Sequence, residues 1–172
     1  VLLDRGLDRG DRVGLLTRNC IEFVEVELAA AKIGVISVNL NWRQTPAEFA
    51  HCVCLTAPSF IVSGEEFVAP LKDAGWETDL VIGRGYDATL DAVDPADLPT
   101  VYVEGEDGLC ILFTSGTTGM PKGALISHRA MVARALIFAT ETGAPKDDTF
   151  IAWSPLFHMG SNDFTLATLL RG

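Results

Sequence analysis

Long apolar runs are missing from this sequence. None approaches the ~20 consecutive residues that a membrane-spanning helix needs, and no basic stretch followed by an apolar one opens the chain as a secretion signal does. The expectation is a soluble protein of the cytoplasm without a membrane span. Cysteine is scarce: the four, Cys20, Cys52, Cys54 and Cys110, sit inside apolar stretches rather than in the loop-rich spacing of a small secreted scaffold, which points to a reduced, intracellular compartment. Cys52 and Cys54, with His51 beside them, make only a C-x-C cluster that lacks the two-plus-two ligand spacing of structural zinc, so they read as small buried hydrophobes. Positive charge is scarce too. Lys and Arg number 13 against 23 Asp and Glu, for a net charge of -10, and no basic stripe interleaves with aromatics, which argues against a nucleic-acid partner. Internal repeats and low-complexity runs are absent as well.

What remains is an ordinary globular composition, 48% hydrophobic and 21% charged over 172 residues, enough for one domain with a core. Short strand-like apolar runs alternate with longer helix-like segments, the pattern of parallel strands joined by crossover helices, so the fold class is α/β with mostly parallel sheets flanked by helices. Arg12 to Thr17 reads as a buried strand; Asn19 with Glu22 forms a candidate capping box for a helix to Ile33, stopped by Gly34. After a strand at Val35 to Leu40, Thr45, Pro46 and Glu48 match an N-cap, a first-turn proline and an N3 acid, opening a helix to about Thr56. Ser59 to Val62 is a strand, and a helix capped by Ser63 and Glu66 should break at Pro70. Asp79 to Ile82 is the next strand. Gly83 to Asp107, rich in Gly, Pro and Asp, reads as a partly irregular connection between two lobes of one compact unit, 1–82 and 108–172. Leu109 to Phe113 and Gly123 to Ser127 are strands, Ser127 caps a helix from His128 to Thr142 that Gly143 ends, and Phe150 to Trp153 closes the strand list. The chain begins at Val1 and stops at Gly172, directly after the apolar run Phe164 to Leu170; both ends read as cut from a longer protein.

Between two of these strands lies Thr114-Ser115-Gly116-Thr117-Thr118-Gly119-Met120-Pro121-Lys122-Gly123. Its composition suits a polyanion. Glycines 116, 119 and 123 let the backbone turn its amides toward a ligand, the hydroxyls of Thr114, Ser115, Thr117 and Thr118 add neutral donors, and Lys122 adds a compact positive charge. Turning a hairpin needs only two to five residues and neither four hydroxyls nor a lysine. A Walker loop is also a poor match, because no Gly-Lys-Ser/Thr is present and a strand follows where that motif leads into a helix.

The ten residues resemble the phosphate-loop signature of the acyl-adenylate-forming, or AMP-binding, superfamily, which includes acyl-CoA synthetases, firefly-type luciferases and peptide-synthetase adenylation domains. Three further stretches are similar to it: GDRVGLLTRNCIEF at Gly10 to Phe23, VNLNWRQTPAE at Val38 to Glu48, which looks most like the bacterial fatty-acid-CoA ligases, and SPLFHMG at Ser154 to Gly160. The likeness is weakest over Gly64 to Gly105. It implies the large amino-terminal domain of an enzyme that activates a carboxylic acid with Mg-ATP, releases pyrophosphate and passes the acyl group to coenzyme A. It implies phosphate binding by Thr114, Ser115, Gly116, Thr117, Thr118, Gly119 and Lys122, a catalytic part for Lys122, Thr118 as a candidate ligand of Mg2+, and His158 near the acyl carboxylate. His51 and His128 are taken as structural, and Phe157 and Trp153 as core. The aromatic-Gly-x-Thr-Glu stretch, the ribose-binding aspartate and the carboxy-terminal domain with its lysine are not in these residues, so the chain alone is expected to be inactive. Two alternatives stay open, an adenylation domain that loads a carrier protein and a non-catalytic nucleotide-binding module, as do the acyl substrate and assembly as a homo-oligomer.

Overall fold

The computed structural model describes residues 1–94, 101–114, 119–143 and 149–171. Six strands form one sheet in the order β4-β3-β1-β2-β5-β6: β1 Arg12–Leu16, β2 Ile36–Asn39, β3 Phe60–Gly64, β4 Leu80–Ile82, β5 Gly108–Thr114 and β6 Lys122–Ser127. All neighbours run parallel except β5 and β6, which pair antiparallel. Strands from before and after residues 83–107 therefore share one sheet. The α/β class and the mostly parallel sheet are as the alternating pattern implies.

Helices cover both faces. On one face, α1 (Ile21–Ile33) lays Phe23, Val26, Ala30 and Ile33 against Val13 and Leu15 of β1 and Phe60 and Val62 of β3. Farther along this face, Met131 of α5 (His128–Thr142) and Leu166 of α6 (Met159–Arg171) pack on Cys110 and Leu112 of β5. On the other, α2 (Pro46–Thr56) and Leu71 of α3 (Val68–Asp73) pack on Leu16, Val38 and Ile61. The alternation of strand side chains between faces decides which residues meet which helix. No described helix is long and apolar enough to cross a membrane.

The caps legible in the sequence form where every partner is local. Thr45 Oγ1 accepts from the Glu48 amide at 3.4 Å while the Thr45 amide donates to Glu48 Oε2 at 2.9 Å, a complete capping box with Pro46 in the first turn. Ser127 caps α5 through the Ala130 amide, and Gly34 and Gly143 end α1 and α5 in the left-handed conformation. Thr45→Ala is expected to cost about 1 kcal/mol of stability. Urea unfolding with an unchanged midpoint would contradict the role of the box.

Three expectations are corrected. Cys20, not Asn19, precedes α1 and makes no side-chain cap; Asn19 is engaged elsewhere. Ser63 belongs to β3 and bonds Thr78 Oγ1 at 3.0 Å, and the helix broken at Pro70 is instead a 3-10 turn at Glu65–Phe67 followed by α3, whose first turn tolerates the proline. Within the partly irregular stretch 83–107, α4 (Tyr86–Asp91) forms because Gly85 adopts φ 83 ahead of it and Tyr86 is buried in the α1-side core. Residues 150–153 form no strand. Ile151 and Trp153 point outward, with Trp153 82% exposed, so Trp153 is not core.

Candidate functional site

Strands β1, β2 and β5 are parallel, so Leu16, Asn39 and Thr114 all end at one edge of the sheet, the edge at which open α/β sheets hold ligands. The glycine-and-hydroxyl loop leaves from this edge after Thr114 and returns to Lys122, which stands directly opposite Thr114 in the antiparallel ladder. The two strands are thus a hairpin, closed by a connection longer than turning alone requires. Cys110 and Leu112 face α5 and α6, so Thr114, two residues on, and its cross-strand neighbour Lys122 fall on that same face. Ser115, Gly116, Thr117 and Thr118 lie outside the described residues.

The described parts of the loop have specific constraints. Gly119 holds φ 142, where a side chain would be strained. Thr114 Oγ1 donates to the Lys122 carbonyl at 3.4 Å across the mouth of the hairpin. Pro121 is buried, and its carbonyl accepts from His51 Nε2 at 3.1 Å, so α2 holds the loop immediately before Lys122. The contact of His51 with the loop joins residues 70 apart and has no local signature in the sequence. Gly123 serves packing more than turning: within β6, a Cβ there would meet Ile111 Cγ2 at 3.1 Å.

Lys122 is exposed, and among the described residues no carboxylate pairs with it. A free ammonium, a hydroxyl and a glycine-rich turn at the carboxyl edge make a donor set for phosphate oxygens. The same edge offers no comparable set for a metal, since no group of three His, Cys, Asp or Glu side chains comes together among the described residues.

His158 lies beside this edge, outside any strand. It immediately precedes α6, and its carbonyl accepts from the amides of Ser161 at 3.2 Å and Asn162 at 3.0 Å. The imidazole is exposed, on a backbone held from three directions. Phe157 is buried, as expected of a core residue, and meets Trp42, just past β2, edge-on with ring centroids 6.2 Å apart. Trp42 is in turn stacked between the guanidinium groups of Arg18 and Arg43, each 4.7 Å from its centroid. Asn19, just past β1, accepts from the Leu156 amide at 2.9 Å and donates to the carbonyls of Ala152 at 3.0 Å and Ser154 at 2.8 Å. Ser154 closes on Ser161 through an Oγ–Oγ contact of 2.7 Å.

Asn19 thus replaces the strand ladder that residues 152–156 lack. Asn19→Ala leaves one amide and two carbonyls without their partner, an expected loss of about 1 to 3 kcal/mol. Faster hydrogen exchange at the Leu156 amide is the matching local signature; unchanged protection there would contradict it. His128 keeps its structural place at the start of α5, where its amide donates to the Asp107 carbonyl at 3.1 Å and burial, against the pull of Asp107, holds its imidazole below the ordinary value.

Beneath α6 lies a polar cluster that sequence reasoning did not find. Glu27 of α1 is 1% exposed. Its carboxylate accepts from Asn162 Nδ2 at 2.9 and 2.8 Å, from Asn39 Nδ2 at 3.1 Å and from Ser37 Oγ at 3.2 Å. Burial outweighs these donors and raises its pKa. Beside the cluster, Arg134 Nε donates to Asp163 Oδ2 at 2.7 Å, tying α5 to α6.

Known proteins are similar to this chain in sequence and in fold. A long-chain-fatty-acid–CoA ligase of Mycobacterium tuberculosis is 31% identical over 182 aligned residues, covering 100% of this chain and 35% of the relative. A feruloyl-CoA synthase of Amycolatopsis is 32% identical over 171 residues, 97% of this chain and 33% of the relative. The inhibitor-bound crystal structure of the amino-terminal domain of FACL13 from Mycobacterium tuberculosis matches with a TM-score of 0.84 and 29% identity over 99% of this chain and 44% of that one. This chain therefore spans about a third of the length of the curated relatives it matches. The match to the AMP-binding enzyme family runs over residues 1–172, and the chain belongs to that family.

Proposed function

We propose that these residues are the ATP-handling amino-terminal part of an AMP-forming acyl-CoA ligase. One oxygen of a carboxylic acid attacks the α-phosphorus of ATP, the bond to the β-phosphate breaks, pyrophosphate leaves, and the thiol of coenzyme A then takes the acyl group and releases AMP. The observation that carries this reading is the juxtaposition of Thr114 and Lys122 at the mouth of the glycine-rich loop, with an ammonium that no described carboxylate neutralises. Charge builds on the departing diphosphate, and donors fixed before the reaction stabilise it without reorganising. With a net charge of -10, the attraction must be local. Magnesium, when bound, would take a further share of that charge.

In this reading Thr114, Ser115, Gly116, Thr117, Thr118, Gly119 and Lys122 hold the phosphates, Lys122 stabilises the leaving group, and Thr118 is the hydroxyl offered to the metal. His158, exposed on a rigid mount at the same edge, faces the acid. The relatives named above act on long-chain fatty and feruloyl acids, which supports an acyl or aryl-propenoyl carboxylate as substrate class.

The test is ATP–pyrophosphate exchange by the whole protein across a panel of fatty and aromatic acids, with and without coenzyme A. Acid-dependent exchange and a coenzyme A thioester are expected, and neither from these 172 residues alone. Thioester formed only on a carrier protein would replace the ligase by a loading domain. Nucleotide bound without pyrophosphate release would remove catalysis altogether.

A further inference from the structure

We infer that Asn162 is a positioning residue for His158, and that it works by hanging from the buried carboxylate of Glu27. The inference rests on the proposed role of His158 beside the acid. His158 is exposed and its imidazole packs only along one neighbouring ring, that of Phe157 with centroids 5.1 Å apart, so much of its precision has to come from its backbone. That backbone is tied to Asn162, whose amide donates to the His158 carbonyl at 3.0 Å. Asn162 is buried, and its side-chain Nδ2 reaches both oxygens of Glu27, at 2.9 and 2.8 Å. Glu27 is fixed in turn by Ser37 and Asn39 of β2, the strand paired with β5 just before Thr114. One chain of contacts therefore runs from the central sheet, through α1, to the first turn of α6 and to His158.

Packing alone does not call for this. Aliphatic side chains would fill the space between α1, β2 and α6 without desolvating a carboxylate and two amides, and buried ionic groups are weak evidence for stability. What the cluster adds is register: Asn162 can satisfy both carboxylate oxygens only at one rotation and one height of α6. A slipped α6 would leave Glu27 without its partner and carry His158 away from the edge where Thr114 and Lys122 meet.

The test is a double-mutant cycle in the whole protein between Asn162→Ala and His158→Ala, read as kcat/KM for the acid in pyrophosphate exchange. Asn162→Ala is expected to lower it about tenfold with KM for ATP little changed, as a misplaced group does. In the His158→Ala background the same substitution should have almost no further effect, because coupled residues are not additive. Equal losses in both backgrounds, or none in the first, overturn the inference.

A second measurement does not depend on activity. Labelling the histidines of the whole protein at Cε1 and assigning the signals of His158 and His51 through His158→Gln and His51→Gln follows each of them directly. Asn162→Ala, or Asn162→Asp, which keeps the shape but turns an oxygen toward Glu27, should shift and sharpen the His158 signal while that of His51, across the sheet on α2, stays in place. An unmoved His158 signal in either folded variant overturns the inference. If the whole protein shows no acid-dependent exchange, the ligase reading fails, and the histidine signals still decide whether Asn162 holds His158.

Discussion

Replacing Lys122 with alanine in the whole protein is expected to slow adenylate formation by about 5- to 150-fold, that is by roughly 1 to 3 kcal/mol of lost charge-assisted contact with the leaving diphosphate. The fold gives this prediction its sharpness. Lys122 is exposed at the first position of β6, opposite Thr114, and no described carboxylate pairs with it, so its removal breaks no ion pair among the described residues. Stability should therefore stay within about 0.5 kcal/mol of the parent while the rate falls. The loss should appear in kcat as well as in KM for ATP, because charge on the diphosphate grows toward the transition state. Pyrophosphate exchange at the parent rate in the folded variant would take Lys122 out of the mechanism.

Glu27→Ala acts on the opposite balance, with a large effect on stability. It strips the shared acceptor from Ser37, Asn39 and Asn162 in a site 1% exposed, leaving buried donors unmatched and a cavity between α1 and α6. A loss of about 2 to 3 kcal/mol is expected, the upper part of the usual cost of leaving buried hydrogen-bonding groups without their partner. Urea unfolding measures it, and a loss below about 1 kcal/mol would contradict the network.

The same residue sets a pH dependence whose sign follows from burial. Its pKa in the folded chain is raised above the ordinary 4.5, so the folded state holds this proton more tightly than the unfolded state does. Its stabilising contribution is complete below about pH 4.5 and is lost as pH rises through the folded value. The parent should therefore lose stability relative to Glu27→Gln as pH climbs from 4.5 toward neutrality. Parallel curves for the two proteins would remove Glu27 from the titration.

The elements most legible in the sequence were those whose causes are local. Thr45, Pro46 and Glu48 satisfy one another within a single turn, and Gly34 and Gly143 need only their own backbone freedom. Asn19 misled because its spacing to Glu22 imitates a capping box, whereas its partners lie 133 to 137 residues away. Residues 150–153 carry an apolar sequence that looks like a strand, yet the sheet gives them no partner and Asn19 holds the backbone that follows instead.

The candidate site divides the same way. The loop stands out by composition, since glycines, hydroxyls and a lysine at that density do little for a turn. The supports of the loop and of His158 do not: His51 under Pro121, and Glu27 under Asn162, are contacts between distant segments. A lone glutamate in α1 reads as a solvated residue until Ser37, Asn39 and Asn162 surround it.

A crystal structure of the whole protein with Mg-ATP tests the account most directly. The β- and γ-phosphates should lie in the turn between Thr114 and Lys122, within hydrogen-bonding reach of the Lys122 ammonium and of loop amides. Phosphates bound at another edge of the sheet, with this turn open to solvent and Lys122 untouched, would contradict it.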